Sequence, residues 1–200
     1  MTDSRTLMKD LKLSSRRMKH TLGVAEAAKM LAITHFPEID PEIAEMCGLM
    51  HDYTKEYSFE EQTAICKKYN IEVLDEEIEN PKLLHAKTAA KIASVKYGFP
   101  DYACDAIFYH TTGRADMKPL EIVLYLADYI EKNRDDEGCI KVRDYYYSQM
   151  KKEEPEKALA KTLVLSFDVT LRYLLEDKKH ICLTTVEARN FYLKLAKSMR

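Results

Sequence analysis

The 200 residues, 46% hydrophobic and 32% charged, supply enough apolar material for one sizeable core and a solvated surface. Basic and acidic side chains (31 against 33) nearly cancel to −2, which leaves no electrostatic footprint for nonspecific nucleic-acid binding, and no apolar run approaches the roughly 20 residues that span a bilayer. The N-terminal MTDSRTLMKDLKL lacks the apolar run of a signal peptide, and five scattered cysteines without a CxxC pair argue against a disulfide framework or zinc ribbon, so a cytoplasmic setting is expected.

In chain order, the periodic segments all read as helices. Residues 15–34 keep Met18, Leu22, Ala25, Ala28 and Ala32 on one stripe. A second helix opens at Asp40–Pro41, a cap followed by proline at the first helical position, and carries Ile43, Met46, Cys47 and Met50 on one face. SFEE, residues 58–61, has the spacing of a capping box and starts a third helix near 58–69. Further helices are expected near 83–97, 101–111, 118–132 and 138–150. A longer one covers 153–178, with Leu163, Phe167, Leu171 and Leu174 at helical spacing. TTVE, residues 184–187, is a second capping-box candidate heading a last helix to about 198. Nothing alternates with strand period for long, and no linker divides the chain. The expectation is a single all-α domain over residues 1–200.

The second helix raises the functional question, because its apolar stripe runs into LMHDYTKE, residues 49–56. His51 stands four residues past Cys47 and is predicted to face inward, with Asp52 about 100° further round the axis on the same wall. In the 118–132 helix Leu120, Val123, Leu124 and Ala127 form the buried stripe, and Asp128 follows four residues after Leu124. An aspartate held among apolar neighbours must be paired, protonated or metal-bound, since an unpaired buried charge is costly. A lone histidine is more often a surface or hydrogen-bonded core residue, and that reading is kept for His35 and His180. For His20, His51, His85 and His110, taken with Asp52 and Asp128, the ligand reading is preferred.

The order His20, His51–Asp52, Asp128 resembles the H…HD…D pattern of the HD-domain metal-dependent phosphohydrolases. The strings RMKHTLGVAEAA, GLMHDYTKE, LLHAKTAA, YHTTGRADM and LYLADYIEKNR together resemble the bacterial YqeK family of symmetrical diadenosine tetraphosphate hydrolases, over about residues 10–150 with a weaker C-terminal continuation. A bare His-Asp dipeptide signals little, whereas this ordered set of five segments is specific. Two positions depart from the family pattern: His85–Ala86 stands where His-Gly is expected, and Lys132 stands where proline is expected. Neither removes a candidate ligand.

The resemblance implies a helical bundle with a metal site between its helices, a core of about 10–150, and C-terminal helices 153–200 packed on it. It implies an enzyme that cleaves diadenosine tetraphosphate to two ADP through attack of metal-activated water on an inner phosphate. The primary metal is assigned to His20, His51, Asp52 and Asp128, with His51 and Asp52 at the reacting centre. Mixed imidazole and carboxylate ligation suits iron, manganese, nickel or zinc better than magnesium or calcium, and the resemblance favours iron. His85 and His110 have two readings, as ligands of a second metal bridged by Asp52 or as hydrogen-bond donors to the phosphates. Arg17 and Lys55, each one helical turn from a ligand, Thr111 beside His110, and Arg134 six residues past Asp128 are candidate phosphate contacts; for the three basic residues the plainer reading is ordinary surface charge. The resemblance places the long C-terminal helix near the nucleotide, which makes Tyr173 the candidate for adenine. A nucleotidase or guanosine polyphosphate hydrolase, or a catalytically silent nucleotide-binding module, are the alternatives. The expected partners are a dinucleoside polyphosphate and ADP, with no nucleic acid or membrane, and a homodimer is left open.

Overall fold

The structure, a computed structural model, describes residues 4–199. Among them the regular elements are eleven α-helices and one 3₁₀ turn, with no strand. Helices α1 (Ser4–Asp10) and α2 (Ser15–His35) lead into α3 (Pro41–Met50), α4 (Phe59–Lys68) and the short α5 (Asp75–Glu79). The 3₁₀ turn Pro81–Leu83 runs into α6 (Leu84–Tyr97), followed by α7 (Asp101–Tyr109), α8 (Pro119–Ile130), α9 (Glu137–Gln149), α10 (Pro155–Glu176) and α11 (Leu183–Ser198).

Two of the expected helix starts form through the side chains that signalled them. Asp40 accepts the backbone N–H of Glu42, with Pro41 where its missing N–H costs nothing. Ser58 and Glu61 make both bonds of the capping box. The expected box at TTVE does not form. The cap of α11 falls two residues earlier than Thr184, at Cys182, with no side-chain cap bond. The hydroxyl of Thr185, inside the helix, donates to the carbonyl of Thr112 at 3.0 Å. Helices α1 and α5 carry no sequence periodicity because they are too short to show one. The first is held by tertiary contacts: Leu7 is fully buried, and Asp10 accepts from Tyr97 at 2.7 Å and pairs with Lys96 at 2.8 Å.

Helix α2 packs along both α3 and α8, and α7 in turn contacts α3, α6 and α8. The α2–α3 crossing is close because Gly48 has no side chain. A Cβ there would stand 2.5 Å from the Cα of Ala25. With two neighbours, the buried arc of α2 is wide; of the expected stripe, Ala25, Ala28 and Ala32 are buried and Met18 packs against the core. The arc runs through His20, Val24, Ala28 and Leu31, while Leu22 is turned to solvent.

The C-terminal pair docks through rings. Phe167 of α10 stacks on Tyr125 of α8 and faces Tyr192 of α11, with centroids 4.7 and 6.0 Å apart. Tyr192 accepts the backbone N–H of Met117 at 3.0 Å. Phe167 also presses on Gly113, whose φ of +61° and lack of a Cβ (it would lie 2.7 Å from the ring) both demand glycine. Among the described residues no helix is long and apolar enough to cross a membrane.

Candidate metal centre

Helices α2, α3, α6, α7 and α8 each deliver part of one cluster. His20 comes from α2, His85 from the start of α6, His110 from the cap of α7, and Asp128 from the last turn of α8. His51 and Asp52 do not lie on a continuing helix, as the periodicity suggested. Helix α3 ends at Met50, and residues 51–57 wind through tight turns. The first of these turns still accepts helical bonding, His51 N–H to Cys47 at 2.9 Å, and Tyr53 N–H then reaches Met50 at 3.0 Å. Both side chains therefore stay inside, 0% and 2% exposed. Thr54 ties this turn to α6, donating to the carbonyl of His85 at 3.0 Å and pairing with Thr88.

Backbone carbonyls fix the orientation of three imidazoles. Nδ1 of His51 bonds to the Gly48 carbonyl at 2.6 Å, Nδ1 of His110 to that of Ile107 at 2.6 Å, and Nδ1 of His85 to that of Lys82. A carbonyl only accepts, so each Nδ1 carries a proton and each ring turns Nε2, the nitrogen left to bind a cation, toward the centre. His20 differs, since its Nδ1 meets the carboxylate of Glu131 at 3.2 Å. The Nε2 atoms of His20 and His51 are 3.3 Å apart, and those of His85 and His110 are 3.0 Å apart. These separations suit a cation held between the two nitrogens of each pair. Two nitrogens bound to one transition ion at about 2.0–2.1 Å stand roughly 2.9–3.4 Å apart. The donors fit a divalent metal.

Asp52 divides its oxygens between the two histidine pairs. Oδ2 lies 3.4 Å from His51 and 3.6 Å from His20, whereas Oδ1 lies 3.1 Å from His85 and 3.9 Å from His110. Asp128 Oδ1 completes the first set, 3.1 Å from His20 and 3.9 Å from His51. One ligand atom from each of His20, His51 and Asp52 lies within 4.8 Å of the others, as do those of Asp52, His85 and His110. Burial pushes both carboxyls up, but nearby positive groups overcome it. Chiefly His51 and Lys55 for Asp52, and Arg134 and His20 for Asp128, hold them well below the usual carboxylate range. Burial pushes His85 and His110 down, keeping them neutral. Burial also acts downward on His20, but hydrogen bonds to Asp128 and Glu131 leave it raised.

Three cations border the cluster. Arg17 donates to Asp52 Oδ2 at 2.7 Å, and Arg134 donates to the carboxylate and carbonyl of Asp128 at 2.5 and 2.9 Å. Lys55 lies 3.2 Å from His85 Nε2 and 3.8 Å from Asp52 Oδ1. Arg17, His20 and Arg134 line a cleft of about 520 Å³, within the range of sites for nucleotide-sized ligands. Thr111 follows His110 in the turn after α7, partly buried. Neither it nor Tyr173 lines that cleft; Tyr173 is exposed on α10 and bonded to Lys179. His35 bonds to Tyr146, and His180 pairs with Glu79.

Sequence reasoning missed Glu131 and Asn133. Glu131 is 1% exposed and touches His20, and Asn133 donates its backbone N–H to Glu131 at 2.6 Å. The available signal was position. Glu131 falls one helical turn after Asp128 inside LYLADYIEKNR, an acid placed to follow a ligand acid.

The HD domain profile matches residues 17–133, a span that contains all six converging ligand candidates, and the chain belongs to the HD domain family. A symmetrical bis(5'-nucleosyl)-tetraphosphatase of Staphylococcus aureus is 30% identical over 184 residues, covering 90% of this chain and 89% of the relative. Its counterpart of the same name in Bacillus subtilis is 34% identical over 172 residues, covering 84% and 85%. Within the HD domain proteins, this chain belongs with these tetraphosphatases. The crystal structure of a predicted HD superfamily hydrolase involved in NAD metabolism from Clostridium acetobutylicum superposes with a TM-score of 0.84 at 33% identity, covering 98% of this chain and 99% of that one.

Proposed function

We propose that this chain hydrolyses diadenosine tetraphosphate symmetrically, giving two ADP. The carrying observation is a complete inward-facing set of His and Asp donors beside a cleft bordered by Arg17 and Arg134, in a chain that covers 89% of a relative named for this reaction. His20, His51, Asp52 and Asp128 would hold the primary ion; the donor set suits iron, manganese, nickel or zinc, and the family resemblance favours iron. Asp52, His85 and His110 would hold a second. This reading is favoured over phosphate contacts because neutral His85 and His110 offer lone pairs inward, the wrong polarity for a phosphate oxygen.

When bound, a divalent ion polarises a phosphoryl oxygen and lowers the pKa of water toward about 7. The remaining work falls to the chain. His51 and Asp52 fix the reacting centre from one rigid turn. Arg17 and Arg134, each 29% exposed, present planar guanidinium groups to the polyphosphate, with Lys55 and Thr111 as further contacts. Tyr173 is the proposed adenine contact. Held in this way, one ADP moiety is fixed relative to the attacking water, which removes much of the entropic part of the barrier. Water attacks an inner phosphate, the bond to the bridging oxygen breaks, and the second ADP leaves. The chain acts as one unit in this reading, supported by Phe167 and Tyr192 tying residues 153–200 to the core of 10–150.

Chromatography of the products from a nucleotide panel, with metal-loaded protein, tests the proposal. ADP alone from diadenosine tetraphosphate is expected. AMP plus ATP contradicts symmetrical cleavage, and preferential turnover of a guanosine polyphosphate or a mononucleotide contradicts the substrate.

A further inference from the structure

We infer that Glu131 is the positioning residue of the metal centre, holding His20 by its Nδ1 so that Nε2 faces Asp128 and Asp52. Of the four clustered imidazoles, His51, His85 and His110 bond through Nδ1 to the neutral carbonyl three residues earlier. Of these four, His20 alone bonds through Nδ1 to a carboxylate, Glu131 Oε1 at 3.2 Å. A charged acceptor makes a hydrogen bond roughly twice as strong as a neutral one and draws the ring proton toward itself, which makes Nε2 of His20 a stronger metal donor than that of a carbonyl-bonded imidazole.

The carboxylate has been given its own seat. Its Oε2 accepts the backbone N–H of Asn133 at 2.6 Å, and the Asn133 side chain donates to the carbonyl of Lys19 at 3.0 Å. Arg143 donates to the carbonyls of Glu131 and Arg134 at 2.7 and 3.2 Å, bracing the turn that carries both residues. The opposing surface of α2 is Gly23, where any Cβ would stand 2.1 Å from Glu131 Oε2 and 2.7 Å from Asn133 Nδ2. Glycine is needed here to make room for the carboxylate, since the helical backbone of α2 has no conformational use for it. Two separated positions, one supplying the group and one supplying its space, thus serve a single contact.

The inference rests on the metal-centre reading above and is independent of the substrate. The test is a calorimetric Mn²⁺ isotherm on metal-stripped protein, paired with thermal unfolding of the same metal-free samples. Glu131→Gln keeps the size of the side chain and loses the charge. It should weaken Mn²⁺ binding by about 10–100-fold, the range for lost outer partners of metal ligands, while the metal-free unfolding midpoint stays near that of the unaltered chain. Gly23→Ala leaves Glu131 in place chemically but displaces it, and should weaken Mn²⁺ binding in the same direction. Unchanged Mn²⁺ affinity in Glu131→Gln overturns the inference. If that variant does not fold, unchanged affinity in Gly23→Ala overturns it equally. Failure of the unaltered chain to bind Mn²⁺ overturns the metal-centre reading and the inference with it, whereas a wrong substrate would leave the isotherms untouched.

Discussion

The region where α2, α3 and α8 meet and the region where α10 meets α11 are built on opposite principles. At the first, Gly48 lets two backbones approach and Gly23 makes room for a carboxylate, and the buried faces carry ionisable groups: His20, His51, Asp52 and Glu131. At the second, contact is made by large rings, Phe167 between Tyr125 and Tyr192, and the ends of the two helices leave Leu175 and Leu183 66% and 72% exposed. The first region is limited by geometry and charge, so its side chains should be separable from folding. The second is limited by apolar volume, so its rings should matter for stability and little for the site.

The largest expected effect breaks the site alone. Asp128→Ala removes the carboxylate that lies 3.1 Å from His20 and should lower turnover by more than the roughly 100-fold upper range for outer-partner losses. Circular dichroism should show helical content near that of the unaltered chain. Loss of helix together with activity would mean that the cluster is part of the folding core.

The intermediate effect breaks the other region. Phe167→Ala leaves a cavity between Tyr125 and Tyr192 and should cost about 3–5 kcal/mol in urea unfolding. Metal bound per folded chain should not change. A Phe167→Ala chain that folds but no longer holds metal would show the two regions to be coupled through α8.

The smallest effect sharpens the contrast. Leu175→Ser, on a side chain that is 66% exposed, should shift urea stability by no more than about 0.5 kcal/mol. A larger loss would show that this end of α10 is covered.

Legibility in the sequence followed the same division. Elements with local signals were readable: Asp40–Pro41, the Ser58–Glu61 box, and Asp128 four residues past Leu124 on the buried stripe of α8. The ligand candidates were found because apolar periodicity led into charge at His51 and again at Asp128. Features fixed by tertiary partners were not readable. Leu22 faces away from both helices that α2 packs against, and the cap of α11 falls on Cys182 in place of Thr184. Glu131 looked like one more acid at a helix end, because nothing local reveals that Gly23, on another helix, has cleared a space for it.

The account turns most directly on how many ions the cluster holds, and elemental analysis of the purified, metal-loaded protein measures that. With Asp52 shared between the His20–His51 and His85–His110 pairs, about two divalent ions per chain are predicted, falling to about one in His85→Ala. One ion in the unaltered chain, unchanged in His85→Ala, would return His85 and His110 to phosphate contacts. A chain that binds no divalent ion at all would contradict the central claim.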